Sequence, residues 1–287
     1  MACQTDAVVV RAGGTDVRQY LEDVTSQSLV DLGVGEVRSA LVLDAAGEPV
    51  AVFDVIGDDQ DVLLLVAPDE DTGRYALETM ASRTFLLDVT FALTDLAVVA
   101  FRGVPPPAGG DVVASIPRPH GVDLVTDDPE AARAGAPPPP ADPARLLADW
   151  DIAHGVPRWG HEIAPPNLPE EIGLLQTHVH LKKGCYPGQE AVARMWNLGR
   201  PRRRLARVEL EGSFEEGHES GSGRDRVTVT GVVSGDPTVG MAFVRRDAAT
   251  GDVLAVNGGT VSVTALVGEG LEVPGHDPAT TRRRDTR

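Results

Sequence analysis

Apolar residues along the chain fall into short runs with two different spacings. The stretch 16–28 places apolar side chains at helical spacing and predicts an amphipathic helix. Acidic residues at 69–71 open a second predicted helix, which extends to about residue 84. Strands are predicted from the β-branched or alternating runs at 7–10, 39–43, 50–56, 62–66, 88–94 and 97–101, with a hairpin turn at 44–49. The N-terminal part therefore predicts mixed helices and strands.

The residue pattern changes twice after this N-terminal part. Residues 103–143 are rich in proline and glycine, which predicts strands interrupted by exposed loops and a stiff connector before a helix at 143–153. The short runs beyond residue 205 predict a small antiparallel barrel or sandwich, with strands at 206–210, 227–233, 241–244, 253–256 and 260–267. The polar residues 269–287 predict a disordered tail.

The composition indicates a chain with enough apolar residues for a sizeable core. Of its 287 residues, 42% are hydrophobic, and no apolar run reaches the roughly 18 residues that a membrane span requires. The first residues lack the basic and then apolar pattern of a signal peptide. One of the two cysteines, Cys3, lies in an N-terminal segment that we expect to be loosely held. We expect a soluble, monomeric protein in the reducing cytoplasm, without a disulfide.

The charge is acidic overall but uneven along the chain. The net charge is −17, whereas residues 182–207 carry eight basic residues and a single acidic one. Such a basic segment on an acidic protein would attract a small polyanion. The negative electrostatic potential of the surrounding surface would repel a long nucleic acid. The alternative is a solvated arginine face that pairs with nearby acids.

The stretch 182–190 concentrates the unusual chemistry of the sequence. It holds both lysines of the chain and its second cysteine, Cys185. Two ammonium groups and the N–H groups of a following helix would favour the thiolate form of that cysteine. Gly184 and Gly188 predict a shaped turn, and Tyr186 offers a stacking face beside the thiol. The alternative is that Cys185 is a small buried hydrophobe in a structural turn.

Two further candidate sites lie near this stretch. His178 and His180 would share one face of a strand and, with Cys185, would form a zinc or iron site without a clear fourth ligand. We favour a hydrogen-bonded or surface histidine pair, and we expect no metal site. All three tryptophans lie between residues 150 and 196, which suits a pocket for a flat heterocycle and equally suits a core cluster.

The stretch KGCYPGQEAVAR at 183–194, continued by NLGRP and RRRL up to residue 205, resembles the signature of the YgfZ family. Shorter likenesses to this family are GVPR at 155–158, LPEEIGL at 168–174 and GTDVRQYL at 14–21, which leads to VTS at 24–26. These folate-binding proteins are related to the glycine-cleavage T-protein, an aminomethyltransferase. The resemblance implies an α+β fold. A folate-binding body of two subdomains would occupy residues 1–205, with the loose segment at 103–143, and a C-terminal β-barrel would follow at 206–268.

The same resemblance implies tetrahydrofolate as the cofactor. Glu171 matches a glutamate position of the family and would read the N–H donors of the pterin. Arg194, Arg200 and Arg202 would bind the glutamate tail on the basis of charge, and Cys185 would carry the thiol chemistry. The residues implied to bind the cofactor are Glu171, Tyr186, Gln189, Arg194, Arg200 and Arg202.

The family is known for supporting iron–sulfur enzymes. We therefore expect an accessory protein for iron–sulfur cluster assembly, maintenance or repair, with folate and iron–sulfur client or assembly proteins as partners. The alternatives are a tetrahydrofolate-dependent one-carbon transferase and a non-catalytic folate-binding or RNA-contacting module. Asp151 and Ala164 depart from the family pattern, which has Arg and Asp there, and residues 66–70 lack the Asn-rich loop of the T-protein. The first two departures concern the implied folate contacts, and the missing loop weighs against aminomethyl transfer.

Overall fold

The computed structural model describes residues 1–107, 111–198 and 201–276. Its strands are β1 (Ala2–Gln4), β2 (Val8–Gly13), β3 (Val37–Leu43), β4 (Pro49–Asp59), β5 (Val62–Ala67), β6 (Thr90–Leu93), β7 (Ala97–Arg102), β8 (Val112–Arg118), β9 (Gly121–Thr126), β10 (Arg203–Gly212), β11 (Glu219–Ser220), β12 (Val227–Val233), β13 (Thr238–Arg245), β14 (Val253–Val256) and β15 (Gly259–Leu266). Its helices are α1 (Val17–Val24), α2 (Glu70–Arg74), α3 (Pro129–Ala132), α4 (Pro143–His154), α5 (Leu175–His178) and α6 (Gln189–Leu198). After α2 the helix widens over Tyr75–Met80 and ends in a tighter turn at Ala81–Arg83.

The first sheet has the strand order β3-β4-β5-β2-β6 and supports the N-terminal helices. The helix predicted at 16–28 forms as α1, and its apolar face buries Val17, Tyr20 and Leu21 in the core of this sheet. The Tyr20 hydroxyl donates a hydrogen bond to the Met80 carbonyl at 2.6 Å, which joins α1 to the end of the second helix. The predicted hairpin is confirmed, since β3 and β4 pair in antiparallel register on either side of the turn.

The second sheet corrects one expectation about the N-terminus. Its strand order is β1-β7-β9-β8, so the first residues of the chain pair with β7 rather than hanging loosely. Cys3 lies opposite Ala100 and is fully buried. The prediction of a loosely held segment was wrong because backbone pairing over 90 residues away in sequence has no local signal. Burial raises the pKa of the Cys3 thiol, as is typical of an inert structural cysteine.

The third sheet forms the C-terminal barrel domain. Its strand order is β11-β12-β13-β10-β15-β14, with all of these pairs antiparallel. The two edges of this curled sheet approach each other where Asn257 N donates to Ser220 Oγ at 2.8 Å. The apolar runs expected beyond residue 205 all lie in these strands, and their inward side chains form a separate core.

The segment after the barrel returns to the body of the protein. Val273 is buried, and Leu181 N donates to the Pro274 carbonyl at 2.9 Å. The His276 ring meets the Trp196 ring edge to face, with 5.2 Å between centroids. Residues 273–276 are therefore packed, although they belong to the stretch expected to be disordered, whereas residues 269–272 are exposed. Residues 277–287 lie outside the described residues.

The proline-rich region 103–143 contributes β8, β9 and the short α3 before α4 begins. Asp142 caps α4 by accepting a hydrogen bond from Arg145 N at 3.0 Å, and Gly155 ends it with a φ of +70°. This confirms the helix predicted at 143–153. Among the described residues, no helix is long and apolar enough to cross a membrane.

Candidate functional site around Cys185

The segment that leads to Cys185 is fastened to the residues that follow α1. Ser26 Oγ donates to the His178 carbonyl at 2.6 Å, and His180 N donates to the Ser26 carbonyl at 2.9 Å. Gln27 Nε2 adds a hydrogen bond to the Thr177 carbonyl at 3.1 Å. Contacts about 150 residues apart in sequence thus fix the start of the loop at residues 182–188, which we call the cysteine loop.

Lys183 makes the next attachment from within the cysteine loop. Its ammonium group donates to the carbonyl of Glu22, and to that of Thr25 at 2.6 Å, both at the C-terminal end of α1. It also lies 4.9 Å from the centre of the Tyr186 ring and 4.0 Å from Glu22 Oε1. Burial lowers the pKa of Lys183 to about 8, while the carboxylates of Glu22 and Asp23 oppose that fall.

Cys185 itself is exposed, immediately before the turn that starts α6. Tyr186 N donates to Gln189 Oε1 at 3.2 Å, and Gln189 N donates back to the Tyr186 carbonyl at 3.2 Å. This reciprocal pair fixes the turn between the thiol and the helix. The alternative of a buried structural cysteine does not apply, because Cys185 is exposed and Cys3 is the buried one. Both ammonium groups were expected beside the thiol. The ammonium group of Lys183 instead points to α1.

The start of α6 packs directly on the β3–β4 turn. Gly188 has a φ of +78°, and a Cβ there would lie 2.5 Å from the Asp44 carbonyl oxygen. On the turn, Gly47 has a φ of +86°, and a Cβ there would lie 2.8 Å from Ala191 Cβ. Both glycines are needed for this close approach, which sets the position of the helix behind Cys185.

An open groove of about 600 Å³ runs between the β3–β4 turn and α6. Its lining is Ala45, Tyr186, Pro187, Gly188, Gln189, Glu190 and Ala193. Two predicted cofactor residues, Tyr186 and Gln189, therefore share this groove. Burial raises the pKa of the Tyr186 hydroxyl to about 12. Arg194 is exposed one helical turn from the groove and pairs with the Glu190 carboxylate at 2.6 Å.

Glu171 lies elsewhere, in the interior between the body and the barrel. Its side chain is only 6% exposed, and its Oε2 accepts a hydrogen bond from Leu168 N at 3.4 Å and lies 3.8 Å from Arg203 Nε. Its backbone carbonyl accepts from Leu205 N at 2.8 Å. The Arg203 guanidinium also stacks on the Phe243 ring at 4.1 Å. Glu171 therefore joins the body to β10, and its carboxylate does not open on the groove that Tyr186 lines.

Glu170, which sequence reasoning passed over, has an unusual environment. Its Oε2 is buried and has no hydrogen-bond partner among the described residues. Beside it is a small cavity of about 10 Å³, lined mostly by apolar side chains of α6 and of the segment before α5. Burial raises the pKa of Glu170 to about 7, against the opposing effect of Arg204. The carboxyl group is therefore held partly in its neutral form near pH 7.

The remaining predicted residues do not join this groove. Arg202 is exposed just before β10, and Arg200 lies outside the described residues. Across residues 1–107, 111–198 and 201–276, no three His, Cys, Asp or Glu side chains are placed to hold a metal ion. His178, His180 and Cys185 are among these residues and do not form such a group.

A charged network at the meeting point of the first two sheets was also missed. Arg118 binds Asp54 on β4 at 2.5 Å and Asp123 on β9 at 2.6 Å, and Arg102 binds Asp123 at 2.7 Å. Burial disfavours the charged form of Asp54, but Arg118 holds its pKa below the usual range. Asp151 on α4 faces the same charges, and burial raises its pKa to about 6.

Three comparisons with known proteins bear on this arrangement. Residues 202–267 match the family described as CAF17, C-terminal beta-barrel domain. Over 171 residues the chain is 31% identical to "Iron-sulfur cluster assembly factor IBA57, mitochondrial" of Mus musculus, an alignment covering 52% of this chain and 48% of that protein. The chain thus spans about half the length of the curated relative it matches.

The solved structure of glycine cleavage system aminomethyltransferase T from Bartonella henselae is similar in fold. The TM-score is 0.72 at 15% sequence identity, over 92% of this chain and 84% of that chain. The expected α+β class is confirmed, with mixed sheets and helices followed by an antiparallel barrel domain. The chain therefore has the fold of aminomethyltransferase T and ends in a barrel domain of the CAF17 type.

Proposed function

We propose that this protein supports the assembly, maintenance or repair of iron–sulfur cluster proteins, with the Cys185 thiol as its working group. The observation that carries the proposal is an exposed thiol on a loop whose neighbours are fastened to α1 and to the β3–β4 turn. An exposed cysteine on a fixed loop is suited to reaction or contact with a partner protein, whereas a structural cysteine is buried, as Cys3 is.

The named relative supports the same role. The mouse protein, which is 31% identical to this chain over 171 residues, is called an iron–sulfur cluster assembly factor. The partners in this proposal are iron–sulfur client or assembly proteins. The relative's name places it in mitochondria; the cytoplasmic location expected from the sequence stays a prediction.

Genetic replacement tests the proposal. A host lacking its own counterpart is given the wild type, Cys185→Ser or Cys3→Ala, and the activities of several iron–sulfur enzymes are normalised to the amount of each variant. We expect Cys3→Ala, which removes the other thiol, to support these enzymes as the wild type does. Cys185→Ser should leave them at the level of the empty host. Equal support by Cys185→Ser and the wild type would overturn the proposal.

A bound folate is the second candidate function, because the fold is that of an aminomethyltransferase. The residues implied by the family resemblance fit tetrahydrofolate only in part. Tyr186 and Gln189 line a groove large enough for a flat ring, but the Glu171 carboxylate is used by Leu168 and Arg203. Next to Glu170 the cavity of about 10 Å³ holds no more than a water molecule. Glu171 therefore does not fit the role of pterin carboxylate.

The folate candidate therefore rests on the groove and on Gln189, whose side chain lines it. Calorimetric titration with tetrahydrofolate and its 5-formyl form tests this candidate. Saturable binding that Gln189→Ala weakens and Glu171→Gln leaves intact supports a folate in the groove; no binding at millimolar ligand removes the folate candidate altogether.

A further inference from the structure

The cysteine loop contains one side chain whose burial contrasts with its surroundings. Lys183 has no exposed side-chain surface, while Gly184 and Cys185 after it are exposed. A lysine is rarely buried to this extent unless its ammonium group is fully hydrogen-bonded. The buried ammonium is therefore an attachment point of an otherwise exposed loop.

The receptor for this ammonium is the C-terminal end of α1. The last carbonyls of a helix have no partner within it and form the negative end of its dipole, which favours a cation. Lys183 Nζ donates to two such carbonyls, those of Glu22 and Thr25. The Glu22 carboxylate nearby is itself fixed, since its Oε2 accepts a hydrogen bond from Leu29 N at 2.6 Å. The Glu22 side chain at this site is thus held by a contact that does not involve the lysine.

The ring of Tyr186 closes the other side of the lysine. Its centre lies 4.9 Å from Nζ, and Tyr186 is also the residue whose backbone joins the loop to α6 through Gln189. Lys183 lies two residues before Cys185, and Tyr186 follows it directly. The thiol therefore lies between two residues whose positions are fixed by contacts. The loop cannot move away from α1 without breaking the contacts of the ammonium group.

We infer that Lys183 is a positioning residue, which fixes the cysteine loop on the end of α1 and so holds Cys185 in one place on the surface. The role in presenting the thiol rests on the proposed function of Cys185. The ordering of the loop by Lys183 does not depend on the proposed function, because it follows from the contacts of Lys183 alone. Arg194, an exposed cation on the neighbouring helix α6, pairs with Glu190 of the same helix.

Amide hydrogen exchange of the intact protein tests the inference. Lys183→Met keeps the apolar stem and removes the ammonium, and Lys183→Gln keeps one N–H donor group without the charge. Arg194→Met, which removes an exposed cation from α6, is the control. Hydrogen bonds from charged groups stabilise a structure more than neutral ones, so exchange in residues 184–190 should rise about tenfold or more in Lys183→Met. Lys183→Gln should give a smaller rise, and residues 203–212 of β10 should be unaffected in both variants.

Three results would overturn the inference: unchanged exchange of the loop in Lys183→Met, an equal rise in Arg194→Met, or a rise spread evenly over all peptides, which would indicate general destabilisation. If Lys183→Met does not fold, the same comparison is made between Lys183→Gln and Arg194→Met. The iron–sulfur enzyme assay then separates this inference from the proposed function. Loss of support with a mobile loop in Lys183→Met supports both. A mobile loop with full support keeps Lys183 as the residue that orders the loop and contradicts its role in presenting the thiol, while the role of the thiol itself is tested by Cys185→Ser.

Discussion

A Cβ atom on Gly188 would lie 2.5 Å from the carbonyl oxygen of Asp44, so the backbone just before α6 packs directly on the backbone of the β3–β4 turn. The backbone of Gly188 also has a φ of +78°, where a side chain is strained. We expect Gly188→Ala to lower the free energy of unfolding by about 2–4 kcal/mol, from the combined strain and clash. Chemical denaturation measures this change.

Gly184, four residues earlier, provides the control for that substitution. A Cβ there would meet no atom within 4 Å. Gly184→Ala should therefore leave the free energy of unfolding nearly unchanged. Equal losses in the two variants would show that the close packing on Asp44 is not what requires glycine at 188.

Accessibility separates the two cysteines in a simple chemical test. Cys185 is exposed and Cys3 is fully buried on β1. Iodoacetamide should add one carbamidomethyl group to the native protein, at Cys185, and a second only after unfolding. Mass spectrometry of the intact protein and its peptides measures both additions. Early modification of Cys3 would contradict the pairing of β1 with β7.

The Arg118 network predicts a large effect of one substitution. Arg118→Met removes the partner that Asp54 and Asp123 share, and both carboxylates are largely buried. Breaking a buried ion pair on one side leaves uncompensated charge, so the free energy of unfolding should fall by about 3 kcal/mol or more. Arg194→Met, which breaks an ion pair of exposed side chains on α6, should show no measurable change in the same denaturation experiment.

Glu170 predicts a dependence of stability on pH. Its pKa in the folded protein is raised to about 7, above the ordinary value of 4.5, so the folded state favours the protonated carboxyl. The stability that Glu170 contributes is therefore fully present below pH 4.5 and is lost as the pH rises through about 7. Glu170→Gln should remove this part of the pH dependence, as thermal unfolding between pH 5 and about 8 would show. An unchanged profile would contradict the assignment.

The strands and helices with strong local patterns were predictable from the sequence. The period of Val17, Tyr20 and Leu21 predicted α1, and the evenly spaced runs beyond 205 predicted the barrel strands. Both predictions rest on the spacing of apolar residues along the chain, because that spacing shows which face of a helix or strand is buried. The pairing of β1 with β7 and the network of Arg118 depend on contacts between distant segments, for which a single sequence gives no local signal.

The candidate site was predictable in its location and not in its geometry. Cys185 and the turn at Gly188 followed from residue types, and both lie where the sequence placed them. The direction of the Lys183 ammonium could not be predicted in this way. A lysine two residues from a cysteine has the same sequence whether its ammonium group faces the thiol or the end of a helix. The surroundings of Glu171 were equally unpredictable. Its match to a motif position does not reveal that its carboxylate lies beside Arg203 in the folded protein.

The most direct test of the central claim is the cluster content of a client enzyme. An iron–sulfur enzyme is purified from a host that lacks its own counterpart of this protein and carries either the wild type or Cys185→Ser, and its iron and acid-labile sulfide are measured per mole. We predict that the wild type restores the content and that Cys185→Ser, at equal abundance, does not. Equal cluster content in the two hosts would contradict the account.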